Sequence, residues 1–149
     1  MTRARPTTYS FRSAWTVTAD RRELYDRLED VAGYPQWWPQ VRAVRIDDDT
    51  ALVACRSLLP YTLHFVMRPR RRDREGGVLE AALDGDLVGW CRWLLSTSGQ
   101  RTDVVFEQEV SAPGLRVGPV EPLVRPLLVL NHHRMMAGGR RGLAGTSAH

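Results

Sequence analysis

The chain has 149 residues, 43% hydrophobic and 26% charged, the proportions of an ordinary globular domain with one core. Its formal charge is +4, and all 21 basic residues are arginine, which fits either oxyanion recognition by guanidinium forks or a general compositional preference. This balance excludes a largely disordered chain. The longest apolar stretch, Leu123 to Leu130, is broken by Arg125 and Pro126 and is too short to span a bilayer.

The opening residues, Met1 to Tyr9, are basic and polar and lack the apolar centre of a secretory signal, so a cytoplasmic location is expected. Phe11, Ser13, Trp15 and Val17 then alternate with Arg12, Ala14 and Thr16, the period of a half-buried strand. Thr18 to Asp20 supplies turn and cap chemistry before a helix over Arg21 to Leu28, with Leu24, Tyr25 and Leu28 on one stripe. Asp30 and Gly33 punctuate it, and a second short helix is expected over Val31 to Trp37, closed by Pro39.

Six strand-like runs follow. They are Val41 to Ile46, Ala51 to Ser57, Tyr61 to Arg68, Val78 to Leu83, Leu87 to Ser96 and Thr102 to Val110. The short Gly- and Asp-rich connections between them mark hairpins, so the sheet should be antiparallel with about seven strands. Beyond Pro113-Gly114 the pattern becomes helical, with Val124, Leu127, Leu128, Asn131, Met135 and Gly138 on one face. Pro126 should bend its first turns or delay its start. Gly138, Gly139 and Gly142 should weaken its end. The expected domain covers 9–143, with flexible ends at 1–8 and 144–149.

One helix about 10–12 Å across cannot fill the trough of a curved seven-stranded sheet. That geometry favours a cavity between helix and sheet. Strand parity puts Leu87, Gly89, Cys91, Trp93 and Leu95 inside, with room beside the small Gly89 and Cys91. Thr102, Val104, Phe106, Gln108 and Val110 share the inner face of the next strand. His64 alternates with Tyr61, Leu63 and Phe65 and should face solvent. Cys55 and Cys91 are far apart without a CxxC spacing and are read as buried free thiols.

The segments Trp15-x-Val17-x-Ala19, Tyr25-x-x-Leu28-x-Asp30 and Tyr34-Pro35-x-Trp37-Trp38-Pro39-x-Val41 resemble the amino-terminal half of the polyketide cyclase/dehydrase family. Leu59-Pro60-Tyr61-x-Leu63, Gly85-Asp86-Leu87-x-Gly89, Trp93-x-Leu95, Asn131-His132 and Met135-Met136 extend the resemblance from about Phe11 to Leu143. The family belongs to the START-like, or SRPBCC and Bet v 1-like, superfamily. The resemblance implies an α+β helix-grip fold: a curved antiparallel sheet around a long carboxy-terminal helix, with two short helices after the first strand. It also implies a domain that encloses lipids, polyketides, hormones or other apolar molecules, only some relatives being enzymes.

Within that frame Trp37 and Trp38 either gate the cavity mouth or anchor the short helices. Arg56 and Tyr61 are the candidate catalytic groups, Arg56 for an enolate or carboxylate oxygen and Tyr61 for a proton or hydrogen bond to it. Arg56 on the convex surface and Tyr61 at the strand edge are the alternative placements. Trp37, Tyr61, Leu63, Phe65, Trp93, Phe106, Leu128, Asn131 and Met135 are the candidate ligand contacts, with Tyr61 and Asn131 giving polar direction. Adjacent His132 and His133 point about 100° apart on a helix and make a poor metal pair, so no metal and no cofactor are expected. The basic run Arg68 to Arg74 lacks interleaved aromatics, which argues against nucleic acid.

The expected function is binding of a small hydrophobic or aromatic molecule, by a monomer or homodimer without membrane insertion. The alternatives are an aromatase/cyclase acting on a poly-β-keto chain, and an interaction module with an apolar rim near Trp37 and Trp90.

Overall fold

The computed structural model describes residues 8–56, 62–111 and 121–146. In its last helix, side chains are described at residue 130 and from 132 to 143. Strand β1 (Thr8–Val17) leads into helix α1 (Arg21–Glu29), a 3-10 turn (Val31–Gly33) and the one-turn helix α2 (Tyr34–Trp37). Strands β2 (Val41–Asp47), β3 (Thr50–Cys55), β4 (Leu63–Asp73), β5 (Val78–Gly85), β6 (Val88–Ser98) and β7 (Arg101–Ser111) follow, and α3 (Glu121–Thr146) is the last element.

All neighbouring strands are antiparallel, in the order β1-β7-β6-β5-β4-β3-β2. The meander from β2 to β7 thus ends beside the first strand, so the chain's two edges are β1 and β2. Register shifts between Val41 and Ala43 and between Pro69 and Arg71 are bulges, which bend a strand and increase its twist. The sheet curves around α3 in the helix-grip arrangement.

Strand β4 continues to Asp73, past the expected end at Arg68. Pro69 lacks the amide hydrogen that a regular ladder needs, and the register shift beside it accommodates the loss. Helix α3 begins at Glu121, ahead of Pro126, so that proline does not delay it.

The concave face carries the core. Trp15, Val17, Leu79, Leu83, Cys91, Trp93, Leu95, Val104 and Phe106 are buried, together with Leu24, Tyr25 and Leu28 of α1. The convex face is held by charge. Glu80, Arg92 and Glu107 are register partners across β5, β6 and β7, and Arg92 reaches the two carboxylates at 3.4 and 3.3 Å. The arginine-rich end of β4 is neutralised in the same way. Arg68, Arg70, Arg71, Arg72 and Arg74 each lie within 4 Å of a carboxylate, on Asp84, Glu80, Asp73, Asp49 and Asp26. Such exposed pairs add little stability.

The three glycines of α3 do the reverse of what helix propensity suggests. A Cβ on Gly142 would overlap the Trp37 carbonyl, and one on Gly138 would overlap the Gln40 amide. One on Gly139 would sit 2.8 Å from the Trp38 indole. The helix runs unbroken through all three to Thr146. Their cost in backbone entropy is offset by the close approach of α3 to the segment Trp37 to Gln40.

Candidate ligand cavity

Between the sheet and α3 lies a cavity of about 130 Å³. Its walls come from inward positions of β1 (Phe11), β3 (Val53, Cys55), β4 (Leu63, Phe65, Met67), β5 (Leu83), β6 (Cys91, Trp93) and β7 (Phe106, Gln108). Trp38 closes it beside α2, and His132, Met135 and Met136 of α3 form its roof. Alternation along each strand is what brings these side chains to one face.

An unbroken chain of rings starts behind the wall and runs along it. Trp37 stacks on Trp38 at 5.5 Å, Trp38 meets Trp93 edge-on at 6.2 Å, and Trp93 lies 4.5 Å from Phe106. Phe106 then faces the His132 imidazole at 6.1 Å, and that ring stacks on Phe11 at 4.0 Å and 8°. Trp38 also donates its indole N–H to the Met135 carbonyl at 2.7 Å, fixing the roof to the short helix.

Few polar groups reach this space. The Tyr34 hydroxyl is spent on the Leu28 carbonyl at 2.5 Å, and burial, then nearby Cys91, holds its pKa well above the ordinary phenol value. Burial pushes the Cys55 and Cys91 thiols up to about 12, so neither is a nucleophile near neutral pH. His132 differs. Its Nε2 is buried without a hydrogen-bond partner among the described residues. Burial, and then the charge of His133, lowers its pKa to about 4. An unpartnered buried nitrogen costs about 1–3 kcal/mol.

A second space of about 240 Å³ opens between the Val31–Gly33 turn, the β2–β3 turn at Asp48 and Asp49, and β4. Tyr34, Met67, Cys91 and Trp93 line both spaces. These four side chains are the partition between the apolar cavity and a charged mouth.

Leu63, Phe65, Trp93, Phe106 and Met135 lie together on the cavity wall. Trp37 is buried but sits behind Trp38, outside the wall, and its carbonyl packs on α3. Trp37 therefore only anchors, while Trp38 both holds α3 and lines the wall. Arg56 is exposed, its amide donating to the Gln40 carbonyl at 2.8 Å. It follows Cys55, which faces inward, so the two-residue period of the strand turns Arg56 away. His64 is exposed as its parity requires. Gly89 leaves no room for a ligand: a Cβ there would overlap the Glu109 carbonyl of β7, and its φ is +151°. Tyr61 and the side chains of Leu128 and Asn131 lie outside the described residues.

His132 lines the cavity, although the sequence reading weighed it only as half of a metal pair with His133. Its signal was the spacing 132, 135, 136, 139, a helical face ending at the glycine beneath Trp38. Among the described residues no group of three His, Cys, Asp or Glu side chains could hold a metal ion. No helix there is long and apolar enough to cross a membrane.

This fold with an apolar cavity beneath its last helix defines a helix-grip protein of the Bet v 1/START class. A sequence model described as polyketide cyclase / dehydrase and lipid transport matches residues 17–131, and the chain belongs to that family. Among solved structures, the Zhui aromatase/cyclase from Streptomyces sp. R1128 superposes with a TM-score of 0.79 at 18% identity, over 95% of this chain and 94% of that one. A START superfamily protein from Mycobacterium smegmatis gives 0.73 at 14% identity, over 93% and 96%. A norcoclaurine synthase point mutant from Thalictrum flavum gives 0.63 at 15%, over 95% and 97%. At such identities the likeness is one of fold. No curated protein matches the sequence.

Proposed function

We propose that the protein binds a small hydrophobic or aromatic molecule in the cavity between the sheet and α3. The observation that carries this reading is the wall itself: side chains from all seven strands and two helices converge on an unfilled space whose surface is mainly apolar and aromatic. A well-packed core leaves few voids larger than a water molecule. The family's lipid-transport description and the likeness to ligand-enclosing folds support the same reading.

The similarity to an aromatase/cyclase supports a condensation enzyme as the second possibility. The exposed Arg56 weakens it, since no arginine among the described residues lines the apolar cavity. An interaction module has less support still. Trp37 is buried, and the exposed large apolar residues Ile46, Leu52, Val88 and Leu130 are spread over four elements. We place the protein in the reducing cytoplasm, where buried free thiols persist, as a monomer or homodimer that does not engage nucleic acid.

Native mass spectrometry of protein from its own host, followed by organic extraction, tests the reading. A bound apolar molecule of defined mass is expected. Protein that carries none, and that shows no saturable binding of toluene or p-cresol by calorimetry, overturns it.

A further inference from the structure

His132 brings together three features. Its ring is stacked face to face on Phe11, the residue lines the cavity, and its Nε2 is buried with no partner among the described residues. Tyr34 donates to a backbone carbonyl, and the two thiols are weak hydrogen-bonding groups. Gln108 is the register partner of Phe11, so an amide able to donate and accept lies on the strand beside the stacked pair.

We propose that His132 is the polar anchor of the cavity, and that the ligand is a neutral one-ring aromatic carrying a hydroxyl that meets Nε2. This rests on the ligand-binding reading above and narrows it. A hydroxyl both donates and accepts, so it satisfies Nε2 in either neutral tautomer. A carboxylate is disfavoured, because the imidazole is uncharged at neutral pH and no Lys or Arg among the described residues lines the space. Size sets the rest. A dry apolar cavity of about 150 Å³ accepts benzene, and this one measures about 130 Å³. The ligand's ring then packs against Phe106 and Trp93, whose centroids are 4.5 Å apart.

The test is calorimetric titration of the full chain at pH 7 with p-cresol, toluene and benzoate, in wild type, His132→Phe and His132→Gln. Wild type is expected to prefer p-cresol over toluene by roughly fivefold, the effect of one neutral hydrogen bond, and to bind benzoate more weakly than either. His132→Phe should keep toluene binding and lose the preference, while His132→Gln should recover part of it. Equal affinity of wild type for p-cresol and toluene, or a preference that survives in His132→Phe, overturns the anchor and leaves apolar binding standing. Failure of wild type to bind either compound overturns both readings. Should His132→Phe not fold, the wild-type comparison and His132→Gln decide the matter.

Discussion

Trp38 donates its indole N–H to the Met135 carbonyl across 2.7 Å, and this bond ties the one-turn helix α2 to the middle of α3. The same indole lies on Gly139 and lines the cavity, so one side chain sets both the helix position and the wall. Trp38→Phe removes the donor but keeps most of the ring. It should cost about 1–2 kcal/mol in urea unfolding. Trp38→Ala should cost about 3–5 kcal/mol. Equal stability of Trp38→Phe and wild type would show that the bond contributes nothing.

Gly142→Ala separates helix propensity from packing. Propensity alone favours alanine by about 1 kcal/mol inside a helix. The Trp37 carbonyl occupies the place of the new Cβ, so the substitution is expected to destabilise by about 1–3 kcal/mol. A rise in the urea midpoint would refute the close approach of α3 to α2.

His132 should give stability a pH dependence. Its folded pKa of about 4 lies below the ordinary 6.5, so between these values the unfolded chain binds more protons than the folded one. Its contribution is therefore complete above about pH 6.5 and is lost as pH falls toward 4, by up to roughly 3 kcal/mol. Carboxylates titrate nearby, so the measurement is the difference between wild type and His132→Phe. That difference should change between pH 7 and 4.5 and stay flat above pH 7.

Cys55 and Cys91 should resist modification. With both thiols buried and their pKa near 12, native protein is expected to react with Ellman's reagent only slowly at pH 8. In urea both should react at once. Rapid labelling of the native chain would show that the cavity wall opens.

Arg56→Ala should change stability by less than about 0.5 kcal/mol, as for an exposed site away from packed features. It should also leave p-cresol affinity unaltered. A large loss of affinity would return Arg56 to the cavity.

The sequence by itself determined the element order, the antiparallel meander and the inner faces of β6 and β7. These follow from local chemistry: turn residues at Asp84-Gly85 and Gly76-Gly77, and a period of two that holds through Cys91, Trp93 and Leu95. Parity also assigned Leu63, Phe65 and Phe106 to the inner face, because alternation needs no knowledge of the partner strand. The family followed from ordered motifs spread over the chain. Tertiary structure alone decided what lies behind a small or polar residue. Gly89 is small because a β7 carbonyl occupies its Cβ position, and the α3 glycines are small because the Trp37 to Gln40 segment rests on them. Trp37 and Trp38 are adjacent and chemically alike, so only the packed structure could show that Trp38 lines the wall and Trp37 does not. In the sequence His132 is weighed only as half of a metal pair with His133; its place in the wall emerges when Phe11, more than a hundred residues earlier, is laid against it.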